Sequence, residues 1–207
     1  MTERAAGSFA AWADHTRASQ AGDAEATVPC DGCTACCRSS FFVHIAPDET
    51  TTLSRIPREL LVRAPGLPPG YMVLGYDERG HCPMLVDGAC SIYADRPRTC
   101  RTYDCRIFSA AAVEPDPTTQ PAIAERVRGW RFTLDTPTAR ERADAVQAAA
   151  TFLRAHGAEL PPAIAPANPT GLAVLAVEVH ELFLASSGRR AEPDAAAIVA
   201  AVDRIRR

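Results

Sequence analysis

Apolar residues recur at helical spacing through the C-terminal half of the chain. The first set is Ala139, Ala143, Val146, Ala150 and Leu153; the second is Leu172, Leu175, Val179 and Leu182; the third is Ala195, Ile198, Val202 and Ile205. Repeats of three and four residues place such positions on one face of a helix. Thr138-Ala139-Arg140-Glu141 reads as a capping box for the first helix, and Gly157 as its close. The second stripe ends before Gly188, and Pro193 opens the third. The pattern predicts three amphipathic helices that bury their apolar faces on one another or on the rest of the chain.

The pattern between Cys30 and Cys105 is different, with short and interrupted apolar runs. Phe41 to Ile45 and Tyr71 to Tyr76 suit strands. Pro47-Asp48-Glu49 resembles a helix start, with helical segments through about Leu53 and Leu60. Pro65-Gly66 and Pro68-Pro69-Gly70 break that pattern. Met84 to Val86 and Ala89 to Tyr93, joined by Asp87-Gly88, predict a tight hairpin, and Asp77 to Gly80 a turn. Ahead of this region Phe9 to Ser19 has the makings of a short helix, and Val113 to Pro117 reads as a linker. The expected class is therefore α+β: an N-terminal segment over 1–26, an irregular cysteine-rich module with short strands and helices over 27–109, and a helical C-terminal region over 110–207.

Composition narrows the chemistry. The 207 residues are 47% hydrophobic and 23% charged, as in soluble globular proteins. A net charge of -3 gives no reason to expect nucleic acid or an anionic membrane as partner. All 22 basic residues are arginine, which removes Schiff-base and phosphate-loop lysine chemistry. The longest N-terminal apolar run, about Phe9 to Ala13, is too short for a signal-peptide core. Glu178, His180 and Glu181 interrupt the most apolar stretch, so no membrane span is expected. The cytoplasm is the default compartment on these grounds, and thiols stay reduced there. Dense cysteines in a reducing compartment point to metal before disulfides.

The cysteines form two arrays. The first is Cys30-Asp31-Gly32-Cys33-Thr34-Ala35-Cys36-Cys37, a C-x2-C-x2-C-C run. Two cysteines separated by two residues turn their sulfurs onto one ion, with Gly32 easing the turn. Three thiolates in this spacing also match the iron–sulfur ferredoxin run. Cys37 diverges from Cys36, so the pair feeds two sites, or one binds while the other supports. The second array is Cys82, Cys90, Cys100 and Cys105. Two four-thiolate sites are the simplest count; mixed sites drawing on both arrays, or one cluster with spare thiols, satisfy the spacing as well. Arg38, Arg96, Arg98, Arg101 and Arg106 stand beside the candidate ligands and are expected to offset thiolate charge. His44 and His81 are secondary candidates, more readily explained as ordinary strand and turn residues.

These motifs, with Cys82-Pro83-x-Leu85 and Cys90-x-Ile92-Tyr93-x-x-Arg96-Pro97-x-x-Cys100-Arg101, resemble the YkgJ-type cysteine-cluster family over about Cys30 to Phe108. The resemblance implies a zinc- or iron-chelating domain with the eight cysteines as metal ligands. Some proteins of that family carry an iron–sulfur oxidoreductase label, and a flagellin lysine methylase is similar over the same motif. The expected function is metal binding, with zinc or iron (an iron–sulfur cluster included) held by the eight thiolates. The alternatives are an iron–sulfur oxidoreductase, electron carrier or protein-modifying enzyme, and a zinc-stabilised interaction module whose C-terminal helices meet a protein partner. No Gly-rich nucleotide loop, nucleophile elbow or paired histidine–carboxylate motif is legible, so whether the chain is an enzyme stays open.

Overall fold

The computed structural model describes residues 2–21, 24–30, 32–185 and 193–205. In chain order its strands are β1 (Arg4–Ser8), β2 (Val43–Ile45), β3 (Leu61–Arg63), β4 (Met72–Leu74), β5 (Leu85–Val86), β6 (Ala89–Cys90) and β7 (Trp130–Thr133). Its helices are α1 (Phe9–Ala21), α2 (Thr50–Arg55), α3 (Arg98–Thr102), α4 (Arg106–Ala111), α5 (Pro121–Val127), α6 (Pro137–His156), α7 (Pro169–Val179) and α8 (Ala195–Ile205). This is the mixed α+β architecture that the sequence implies. The chain divides into two compact units. One, here the helical unit, comprises Met1–Ala24, Asp104–Pro115 and Val127–Arg207; the other, the cysteine unit, comprises Glu25–Tyr103 and Asp116–Arg126.

In the helical unit, α6 buries the expected stripe of Ala139, Ala143, Val146, Ala150 and Leu153, and Ala145 and Ala149 besides. Its cap lies two residues ahead of the expected one. Thr136 Oγ1 accepts the Ala139 N–H at 3.0 Å, and Pro137 occupies the first turn, where its fixed φ and missing N–H cost nothing. Gly157 closes α6 as expected, with φ −58° at the C-cap, and a 3-10 turn follows. Asn168 caps α7 by accepting the Gly171 N–H at 2.8 Å. Helix α7 is buried at Ala173, Leu175, Ala176, Val177 and Val179, wider than a single stripe. The second stripe continues from α7 into a 3-10 turn at His180–Phe183, and the Gly188 expected to end it lies outside the described residues. Ile198 and Val202 of α8 are buried, while Ile205 is exposed.

The same unit holds a parallel pair that no alternation announces. Strand β1 runs beside β7, with Arg4 opposite Trp130 and Ser8 opposite Thr133, and a bulge between Ala5 and Gly7. Arg-Ala-Ala-Gly-Ser has little intrinsic strand preference, so tertiary packing decides it. Phe9, Trp12 and Phe132 form the packing, with ring centroids 4.9–5.4 Å apart.

The cysteine unit is built on a small apolar core of Ile45, Ile56, Leu74, Met84 and Ile92, against which Cys82 and Cys90 also pack. A three-stranded antiparallel sheet in the order β2-β4-β3 supplies part of it. The helical segment expected through Leu60 is instead a 3-10 turn at Arg58–Leu60 leading into β3. Pro57 stops the helix, and Leu61-Val62-Arg63 finds a partner in Met72–Leu74. The Pro/Gly stretch thus becomes the loop of a hairpin, closed by the Ala64 N–H on the Tyr71 carbonyl at 3.0 Å. The expected β5–β6 hairpin turns at Asp87 (φ 50°) and Gly88 (φ 78°), the left-handed pair such a two-residue turn requires. Among the described residues, no helix is long and apolar enough to cross a membrane.

Candidate metal centre

The first array is folded by short-range bonds. The Cys33 N–H donates to the Cys30 carbonyl at 2.8 Å, across a turn in which Gly32 takes φ 73°. The Ala35 N–H then points at Cys33 Sγ, 3.5 Å away, a donor placed where sulfur carries charge. Arg126 on α5 holds the loop from outside, donating to the carbonyls of Pro29 at 3.0 Å and Cys30 at 3.3 Å. Of the neighbouring pair, Cys36 is exposed and Cys37 is half-buried. The eight cysteines, all among the described residues, are free thiols.

The second array joins the first through the backbone. The Cys82 N–H donates to the Cys37 carbonyl at 2.8 Å. Asp77 prepares this junction by accepting the N–H groups of Arg79 and His81 at 2.9 and 2.8 Å. These bonds to its own turn hold the Asp77 carboxyl below its ordinary range, the His81 N–H most of all. The hairpin sets Cys90 opposite Leu85, and α3 carries Cys100. His44 is an exposed residue of β2.

The thiols of the two arrays act on one another. Burial pushes the Cys37 thiol up to about 11, and Cys82, Cys90, Cys33 and Cys30 add to the rise. Cys100 keeps part of its residue surface in solvent, yet the protein atoms around its sulfur push the thiol up to about 12, with Cys82, Cys37 and Cys90 contributing. Burial raises Cys82 too; the Met84 and Leu85 N–H groups work against the rise, while Cys90 and Asp77 add to it. Cys82 and Cys90 of the second array thus act on Cys37 of the first, as do Cys33 and Cys30, and Cys37 acts in turn on Cys100.

Cys105 belongs to the helical unit. It is buried, and Trp130 Nε1 donates to its sulfur at 3.3 Å. The residues on either side of it, Asp104 and Arg106, form a buried pair at 2.7 Å, and Trp12 Nε1 donates to Asp104 at 2.9 Å. The five arginines expected to offset thiolate charge have other duties for the most part. Arg38 donates to Thr34, Arg98 pairs with Asp48, Arg101 with Glu25, and Arg106 with Asp104. Arg96 does act on a thiol, lowering Cys100 against the larger upward effects, while its guanidinium rests 4.3 Å above the Tyr93 ring.

Crowded thiols of this kind fit a soft or borderline metal. Each thiolate formed alone raises the cost of the next, and a bound cation reverses that balance by pairing with all of them. Cysteine-only donor sets select zinc or iron–sulfur centres. Among the described residues, no three His, Cys, Asp or Glu side chains already stand in the arrangement of a formed metal site. The fit lies in donor chemistry and mutual influence.

Residues 29–119 match the CxxCxxCC family, described as "Putative zinc- or iron-chelating domain". That segment is less than half of the chain, and its cysteine spacing is similar to that of the YkgJ-type proteins. A comparison with curated proteins gives no match, and a comparison with solved structures gives none either.

Proposed function

We propose that the cysteine unit is a thiolate metal-binding module in which Cys30, Cys33, Cys37, Cys82, Cys90 and Cys100 hold zinc or iron. The observation that carries this reading is the bond from the Cys82 N–H to the Cys37 carbonyl at 2.8 Å, which joins two arrays far apart in sequence; Cys82 and Cys90 raise the Cys37 thiol beside it, and Cys82 and Cys37 raise Cys100. Cys36 and Cys105 are proposed as further ligands on the motif alone. The metal supplies a cationic centre that pairs with the thiolates and ties the two arrays together. Helices α6, α7 and α8 take the role of scaffold, because Val146, Leu153, Leu175, Val179, Ile198 and Val202 turn into the interior of their own unit.

An iron–sulfur centre is the second reading, favoured by the C-x2-C-x2-C spacing of Cys30, Cys33 and Cys36. Purification without oxygen, followed by assay of zinc, iron and acid-labile sulfide per chain, separates the two. Stoichiometric zinc in a colourless protein supports the closed structural site. Iron with equal sulfide and a broad visible absorption moves the assignment to the iron–sulfur centre. A chain that takes up neither metal contradicts the proposal.

A further inference from the structure

Cys100 is carried by α3, a helix of five residues. So short a helix has no stability of its own and stays where its neighbours hold it. Those neighbours lie in the stretch of chain between the two arrays. Thr99 Oγ1 donates to the His44 carbonyl at 2.6 Å, and Arg98 Nη2 donates to Asp48 at 2.7 Å. Just ahead of α3, the Asp95 carbonyl accepts from Thr52 Oγ1 at 2.8 Å and its carboxylate from Arg55 at 3.0 Å.

Glu49 is the centre of this arrangement. Its side chain is 3% exposed, and both carboxylate oxygens are used. Oε1 accepts the Ala46 N–H at 2.9 Å, which fixes the exit of β2. Oε2 accepts the Arg98 N–H, the first of α3, at 2.5 Å, and Arg101 Nη2 stands 3.9 Å from the same oxygen. Arg98 and Arg101 lie on either side of Cys100 in sequence, so one buried carboxylate bonds the start of the segment that presents this thiol and stands within ion-pair reach of the arginine that follows it. A carboxylate leaves water only where charge-assisted bonds replace its hydration. Nothing in the apolar core calls for such a group, whereas a ligand that must be held in a fixed direction does.

We propose that Glu49 is a positioning residue of the metal centre: through α3 it fixes the direction of Cys100, and retention of the metal depends on it. This rests on the reading that Cys100 is a ligand. The test is release of zinc from the loaded full-length chain to an excess of a colorimetric chelator, with thermal melting recorded in parallel. Glu49→Ala leaves two part-buried N–H groups without their acceptor and is expected to release zinc about tenfold faster, the low end for loss of a group that orients a ligand. Glu49→Gln keeps a neutral acceptor and falls between. Asp48→Asn removes an exposed charge from Arg98 and stays within about twofold of the parent. Should Glu49→Ala not fold, Thr99→Val removes the bond to the His44 carbonyl on the same helix and is expected to speed release in the same direction. Variants that melt lower but release zinc at the parental rate overturn the inference and leave Glu49 a purely structural residue. A parent chain that takes up no metal overturns the metal reading and this inference together.

Discussion

The two units solve the problem of staying folded in different ways. The helical unit has an aromatic cluster of Phe9, Trp12 and Phe132, a 20-residue helix, and a buried Asp104–Arg106 pair held by Trp12. The cysteine unit has strands of two or three residues and a core of Ile45, Ile56, Leu74, Met84 and Ile92. Phe42, Val62, Tyr76, Val86 and Tyr93 remain exposed there. A core that small seldom supports a unit alone, and metal is one of the established substitutes for apolar burial. The contrast teaches why, on the proposed reading, the thiols would serve as a folding device as well as a binding site. It also places the two kinds of sensitivity, to metal and to packing, in different parts of the chain.

The largest expected effect breaks the comparison outright if it fails. A structural zinc contributes about 10–16 kcal/mol of apparent binding energy, as much as a whole domain's net stability. Stripping the metal from the intact protein should therefore remove hydrogen-exchange protection from β2, β3, β4 and the β5–β6 hairpin. Protection across α6 and α7 should persist. Equal loss in both units would mean that they do not differ in what holds them.

Phe108→Ala tests the opposite side. The side chain is fully buried in α4, and its truncation should cost about 3–5 kcal/mol in chemical denaturation. Metal per chain should not change.

A pH titration should give opposite signs in the two units. His180 is buried, with Nδ1 on the Val177 carbonyl at 2.7 Å, and burial holds its pKa below the ordinary 6.5. The unfolded chain then binds a proton below pH 6.5 that the folded chain refuses, so the helical unit weakens as pH falls through that point. In the metal-free cysteine unit the fold favours protonated Cys37 and Cys100. Unfolding releases their protons from pH 9 upward, and stability falls through about 11 to 12. The metal-loaded protein, its thiolates already ionised, should not show that alkaline loss. Urea midpoints across pH, with and without metal, read both limbs.

The smallest effect concerns a cap. Thr136→Ala removes the acceptor of the Ala139 N–H and should cost about 1 kcal/mol, without altering metal content. Thr138→Ala, at the cap suggested by the sequence, should cost less. The reverse order would return the helix start to Thr138.

Local chemistry made part of this molecule legible in advance. The stripe from Ala139 to Leu153 obeys helical periodicity, and Asp87-Gly88 dictates a hairpin through its positive φ angles. The spacing of Cys30 and Cys33 already implies a turn, which the bond from the Cys33 N–H to the Cys30 carbonyl closes. Long-range choices were not written locally. Arg4 to Ser8 becomes a strand only because Trp130 to Thr133 lies beside it. Glu49 looks like an ordinary first-turn acid, and its burial depends on Ala46 and Arg98, which are far apart in the chain. The bond from the Cys82 N–H to the Cys37 carbonyl depends on the same kind of tertiary closure, and so does the indole N–H that meets Cys105.

X-ray absorption at the zinc edge of the loaded, full-length chain tests the central claim most directly. The account predicts a first shell of sulfur alone, about four atoms at about 2.3 Å. A shell dominated by nitrogen and oxygen would show that the thiols of the two arrays do not hold the metal.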